Sequence, residues 1–176
     1  MAESANSMAV CANVHESAYW ESMSCKLIPC IYLLCKLRDS AMSQTPEGFE
    51  PLFRTSPYLE LLGPIFNKKT NAGLVIGLRA QEKHCNARGL VHGGVFSSLA
   101  DVALGYNAAF QGQEPTPIVT ASLSIDYAGA ARLGDWIEIY TDTQKVGKSM
   151  AFANCYFSVG TKRIVRASGV FSVVNT

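Results

Sequence analysis

At 176 residues, the chain has the length of one domain with a sizeable buried core. Hydrophobic residues make up 48% and charged residues only 16%, below the usual quarter, so part of the surface is expected to be covered by partner chains. Fifteen Lys and Arg against 14 Asp and Glu leave a net charge of +1, which offers no reason to expect nucleic acid or an anionic membrane as a partner.

The N-terminal stretch differs in texture from the rest. Cys11, Cys25, Cys30 and Cys35 fall in it, whereas Cys85 and Cys155 stand in separate segments. That scatter is no disulfide framework, and it points to a reducing, cytoplasmic compartment. The apolar run "LIPCIYLLC" from Leu27 to Cys35 is nine residues, too short to span a bilayer. It also lacks the basic flank and the small-residue cleavage site of a signal peptide. Residues 1–41 therefore read as an extension outside the domain, with Met42 as a candidate natural start and a membrane anchor as the rival reading. The domain itself is expected over residues 42–176.

Regular patterning begins after "PEGF". Phe53, Tyr58, Leu61 and Leu62 suit one short amphipathic helix, stopped by Gly63-Pro64. Ala72 to Gln81 reads as a strand and "HCNARG" as a loop. Over Val95 to Gln111 the residues Val95, Phe96, Leu99, Val102, Ala103, Tyr106 and Phe110 recur at helical spacing. Four strand-like segments follow, Ile118 to Tyr127, Trp136 to Thr143, Met150 to Val159 and Ile164 to Val174. In the first of them Val119, Ala121, Leu123, Ile125 and Tyr127 alternate against Thr120, Ser122, Ser124 and Asp126. Short turn-rich connections make such neighbours antiparallel, so the order strand, long helix, four strands predicts an α+β fold with one helix against an antiparallel sheet.

Asp101 is the one charge on the long helix. With the core face centred near Leu99 and Tyr106, it lies about 160° away, on a stripe with Ser97, Ser98, Gly105 and Ala108. A solvated helix face normally carries Lys, Glu and Gln, and this one has small residues instead. Small residues let another backbone approach, so the stripe is expected at an interface with a second copy of the chain. A carboxylate stripped of water there is a better base or nucleophile; its bland alternative is an exposed helix residue or an ion-pair partner. Gly93 and Gly94 fall where the helix begins, at N–H groups that have no internal acceptor. Such a start can cradle a phosphate, form an oxyanion hole, or be an ordinary tight turn.

Other chemistries lack support. No G-x-S-x-G elbow occurs, and "VGKS" at Val146 to Ser149 has Asp142 where a phosphate-binding loop needs glycine. His84, Cys85 and His92 have no partner at metal-ligand spacing, and Cys85 lacks the context of a nucleophile.

The series Asn86, His92-Gly93-Gly94, Leu99-Ala100-Asp101 resembles the signature of hotdog-fold acyl-CoA thioesterases of the PaaI-like group. The likeness continues through "VTASLSIDYAGAARLGDWIEI" and "GKSMAFANCYFSVGTKRIVRASGVFSVV" and covers Phe53 to Val174. It implies a helix wrapped by a curved antiparallel sheet, a homodimer with two interfacial sites, and pairing of dimers into tetramers. It implies Asp101 as catalytic carboxylate from one protomer and the Gly93 N–H of the other as the donor to the thioester carbonyl, with Gly94 beside it. Asn86 is implied to hold the thioester or the water, His92 to shape the loop, and Thr120 to stand near the water. Val95, Phe96 and Leu99 would line an apolar acyl pocket, and Arg88, Lys145, Lys148 and Arg166 are candidates for the coenzyme A phosphates. No metal or separate cofactor is implied, coenzyme A being part of the substrate. A thioester carbonyl is weakly resonance-stabilised, so one carboxylate, one N–H donor and one polar orienter suffice. The rivals on the same fold are a non-catalytic acyl-CoA sensor, which would lack the acid, and a hydratase, which would need a histidine after Asp101; none follows His92. A purely scaffolding role would leave the spacing from the His92-Gly93-Gly94 turn to Asp101 without a job.

Overall fold

Ser56 and Pro57 start the first helix in the computed structural model, which describes residues 45–174. The 1–41 extension lies outside those residues. Ser56 Oγ accepts from the Leu59 N–H, and proline at the first helical position sacrifices no hydrogen bond. This helix, α1 (Pro57–Leu62), is only six residues long, and Leu62 alone is buried in it. Leu61 stays 73% exposed. Phe53 lies upstream of the helix and rests on Tyr106 and Phe110, with ring centroids 5.3 and 5.4 Å away.

Two strands escaped the sequence reading: β1 (Glu50–Pro51) and β2 (Ile65–Thr70). β2 hides because "IFNKKT" has polar Asn67 on its inward face, where Asn67 Oδ1 accepts the Phe53 N–H at 3.0 Å. The remaining strands are β3 (Gly73–Arg79), β4 (Ile118–Tyr127), β5 (Trp136–Val146), β6 (Met150–Val159) and β7 (Lys162–Val173). All pair antiparallel in one sheet of order β1-β2-β3-β5-β6-β7-β4, which leaves β4 on an edge. The long helix α2 (Gly93–Ala109) packs against β3 through β7, as the α+β expectation required.

The helix is turned differently from the expected face. Its buried residues are Phe96, Leu99, Ala100, Ala103, Leu104, Asn107 and Ala108, while Val102 and Tyr106 are half-exposed and Phe110 is exposed. The face has rotated by roughly a quarter turn at 100° per residue, and Ala108 leaves the Asp101 stripe for the core. The cause is shape. Alanines let the helix sink into the concave sheet, where Leu104 and Phe171 already fill the space a Gly169 side chain would need, with contacts of 3.0 and 2.8 Å.

Asn107 is the buried polar residue on that face, 5% exposed. Its side chain pairs with the start of β3: Oδ1 accepts the Leu74 N–H and Nδ2 donates to the Leu74 carbonyl, each at 2.9 Å.

β4 also departs from simple alternation. Its register with β7 shifts between Thr120 and Ser122, so Ala121 is an extra residue. Thr120 therefore pairs with inward-facing Phe171 and shares the helix side with Leu123 and Ile125, while Val119 faces out at 55% exposure.

His84 anchors the loop before α2. Its Nδ1 accepts from the Gln81 N–H at 2.9 Å, its Nε2 donates to the Leu62 carbonyl at 2.6 Å, and its own carbonyl takes the His92 N–H at 2.9 Å. Burial pushes the imidazole below its ordinary 6.5, outweighing the opposing Leu62 bond; nearby Lys83 pushes the same way as burial. The folded chain thus holds neutral His84, and the unfolded chain takes up a proton below about pH 6.5. Stability present above that pH is expected to drain away as pH falls from 7.5 to 5.5, seen as a declining Tm. His84→Gln should flatten that decline, and an identical slope in the variant would contradict this account.

Candidate active site

Asp101 sits in the third turn of α2, where its Oδ1 accepts the Thr120 hydroxyl at 2.6 Å. The β4 bulge makes this contact by turning Thr120 toward the helix. The bond fixes the carboxylate rotamer and leaves Oδ2 with no partner among the described residues. Asp101 is exposed in the single chain, on the wall of a groove of about 850 Å³ between α1, α2 and β4. Val102, Gly105, Tyr106 and Phe110 line it from the helix, and Arg54 and Tyr58 from the segment before it. Tyr58 hydrogen-bonds Ser98 and so ties α1 over the helix stripe.

The start of the helix is a second cluster. His92 is the N-cap, and its Nδ1 accepts the Gly94 N–H at 3.3 Å. The Val95 N–H goes to the His92 carbonyl at 3.0 Å, so the Gly93 N–H is left without an acceptor among the described residues. A Cβ on Gly93 would touch Tyr127 at 3.5 Å, an ordinary contact. Asn86 holds the preceding loop: its Oδ1 accepts from the N–H groups of Arg88 and Leu90 at 2.9 and 3.3 Å. That is an Asx turn, and it leaves the side-chain NH₂ without an acceptor among the described residues.

The structure brings Asp101 and Thr120 together, and His92, Gly93 and Gly94 together. It does not bring the two groups to one point. Eight residues of helix separate Gly93 from Asp101, about 12 Å at 1.5 Å per residue. Of the expected wall residues, Val95 is half-buried, while Phe96 and Leu99 are 2% and 0% exposed in the core and do not line the groove. Arg88 is exposed on the Asx turn, and Lys145 and Lys148 are exposed at the β5–β6 hairpin. Arg166 pairs with Asp126 at 3.1 Å on the outer face of the sheet. Arg54 is not singled out in the sequence, and Tyr58 reads there only as a residue of the short helix, because its place in the groove depends on how α1 (Pro57–Leu62) folds over α2.

The chain resembles known proteins along most of the described length. Residues 88–164, from the loop before α2 into β7, match the thioesterase superfamily. A candidate esterase of Pseudomonas aeruginosa is 50% identical over 131 residues, 74% of this chain and 98% of that one. Human acyl-coenzyme A thioesterase 13 is 29% identical over 109 residues, 61% of this chain and 77% of its own. Among solved structures, zebrafish thioesterase superfamily member 2 superposes with a TM-score of 0.61 at 19% identity, over 81% of this chain and 97% of that one. The PaaI protein of the E. coli phenylacetic acid degradation operon gives 0.54 at 21% identity, over 58% and 72%. Those two show the shared fold. Half of the aligned residues are common to a relative spanned almost end to end, and one long helix lies against an antiparallel sheet, the hotdog fold shared with PaaI: the chain belongs to the thioesterase superfamily and is a thioester hydrolase.

Proposed function

We propose that the chain hydrolyses acyl-coenzyme A thioesters to the free acid and coenzyme A, in sites shared between two copies. The observation that carries this reading is the pair of half-sites described above. The Asp101 carboxylate, held through Oδ1 by Thr120 and with Oδ2 unpartnered among the described residues, stands about 12 Å along the helix from the Gly93 N–H, likewise unpartnered among them, too far for one carbonyl to meet both within one chain. A second copy with its helix reversed brings the Gly93 of one chain to the Asp101 of the other. The stripe of small, half-buried Ser97, Ser98 and Gly105 around exposed Asp101 supports such an approach.

In that arrangement the Gly93 N–H donates to the thioester oxygen as negative charge develops there. Asp101 Oδ2 takes a proton from water, whose oxygen bonds the carbonyl carbon; the carbon–sulfur bond then breaks and the thiolate leaves to be protonated. Direct attack by Asp101 would give an anhydride that water opens, with the same products. Asn86 offers its NH₂ to the carbonyl or the water. The half-exposed Val102 and Tyr106 and the exposed Phe110 favour a small, aromatic or medium-length acyl group in the groove. Neither route calls for a metal or a bound cofactor. Pairing of dimers and a cytoplasmic setting belong to the same reading. The described cysteines, Cys85 and Cys155, are free, and no helix among the described residues is long and apolar enough to cross a membrane.

Release of thiol from a panel of acyl-CoAs, aromatic and from two to 16 carbons, tests the proposal. Turnover of at least one class is the expected result. Binding of acyl-CoA without turnover of any member would sink it in favour of a sensor.

A further inference from the structure

Two consecutive glycines are the softest backbone on which a helix can start, since each loses more freedom on ordering than any other residue. An oxyanion donor works only if it is held in place before the substrate arrives. The Gly93–Gly94 peptide is clamped at both ends. Its N–H donates to His92 Nδ1 at 3.3 Å, and its carbonyl oxygen, that of Gly93, accepts from Tyr127 Oη at 3.2 Å and Ser97 Oγ at 3.3 Å. The two hydroxyl oxygens are themselves 3.2 Å apart. Each hydroxyl has one proton, so Tyr127 donates to the carbonyl while Ser97 divides its proton between that carbonyl and the Tyr127 oxygen.

The two hydroxyls are not equivalent. Ser97 rides on the same helix one turn later, and its tie to another element runs through Tyr127 itself. Tyr127 comes from the last position of β4, 34 residues away in sequence. It is 52% exposed, so filling the core does not explain its place. Its ring stands 3.5 Å from where a Gly93 side chain would begin, walling the turn on the sheet side.

We propose that Tyr127, assisted by Ser97, is the positioning residue that holds the His92-Gly93-Gly94 turn so that the Gly93 N–H meets the substrate carbonyl. The inference rests on the thioesterase reading above. Tyr127 anchors to the sheet a turn whose own residues would otherwise let it drift, and it does so without touching the reacting atoms.

Tyr127→Phe and Ser97→Ala in the full-length protein test this, with the acyl-CoA that the wild type turns over fastest. Removing a whole oxyanion donor commonly lowers kcat by a hundredfold or more, so a mis-aimed donor is expected to lose about tenfold in Tyr127→Phe and less in Ser97→Ala. KM should stay within about twofold and Tm within about 2 °C, because only alignment in the transition state is lost. A Tyr127→Phe kcat within about twofold of wild type overturns the assignment. So does a KM rise at constant kcat, which would make Tyr127 a substrate contact, or a Tm loss that accounts for the fall in activity. Wild type inactive on every acyl-CoA overturns the thioesterase reading and the positioning role together; active wild type with unimpaired Tyr127→Phe overturns the positioning role alone.

Discussion

Asp101→Asn is expected to lower kcat on the preferred acyl-CoA by about a hundredfold or more, with KM little changed. The substitution keeps the size of the side chain, and the carbonyl oxygen of Asn can still accept the Thr120 hydroxyl that now reaches Asp101 Oδ1 at 2.6 Å. What disappears is the oxygen that can take a proton or attack a carbonyl. Because Asp101 is exposed on the helix and away from the core, Tm should hold, and the loss can then be assigned to chemistry. Thiol release under saturating substrate, with thermal melts of both proteins, is the measurement. A variant that keeps more than about a fifth of the wild-type rate would remove Asp101 from the reaction.

The largest effect on stability is expected from Asn107→Ala. Asn107 is 5% exposed and makes three bonds: with the Leu74 N–H, with the Leu74 carbonyl, and from Nδ2 to the Ala103 carbonyl, each at 2.9 Å. Truncation strands the N–H and the carbonyl of one β3 residue against the helix, at about 1–3 kcal/mol for each group left unpaired. The two groups together cost about 2–6 kcal/mol, and the lower half of that range corresponds to a fall of roughly 10 °C in Tm for a domain of this size. Thermal unfolding of the variant checks it. A shift under about 2 °C would mean that water from the neighbouring groove replaces the amide.

Much of this molecule is legible in its sequence, and the failures have physical reasons. The long helix, the edge strand β4 and the three strands after it follow from period and turn chemistry, because each buries one face. β2 was invisible because the residue that faces inward, Asn67, is polar and hydrogen-bonded to the Phe53 backbone. The orientation of α2 was misjudged because bulk was taken as the mark of burial. In a concave sheet the closest approach belongs to alanine, and the larger Val102, Tyr106 and Phe110 are displaced to the groove. At the site, Asp101 was found from its isolation among small residues, and the two glycines from the unsatisfied N–H groups of a helix start. Thr120 came from family likeness alone, since simple alternation set it against Leu123 and Ile125, residues it in fact accompanies. Arg54, Tyr58 and Tyr127 meet the site only through tertiary contacts between distant segments, which local patterns do not report.

The extra residue in β4 has a consequence for reading relatives of this chain. Upstream of Ala121, the inward positions are the even-numbered Ile118 and Thr120; downstream they are the odd-numbered Leu123, Ile125 and Tyr127. A homologue shorter by one residue here could present the same hydroxyl to the same carboxylate, provided the gap is placed at Ala121. Placed a few residues upstream, the gap would pair Asp101 with the equivalent of Val119 and make an intact site look broken. Position in an alignment column is thus a poor guide to chemistry at this strand, and the pairing partner on β7, Phe171 for Thr120, is the better coordinate.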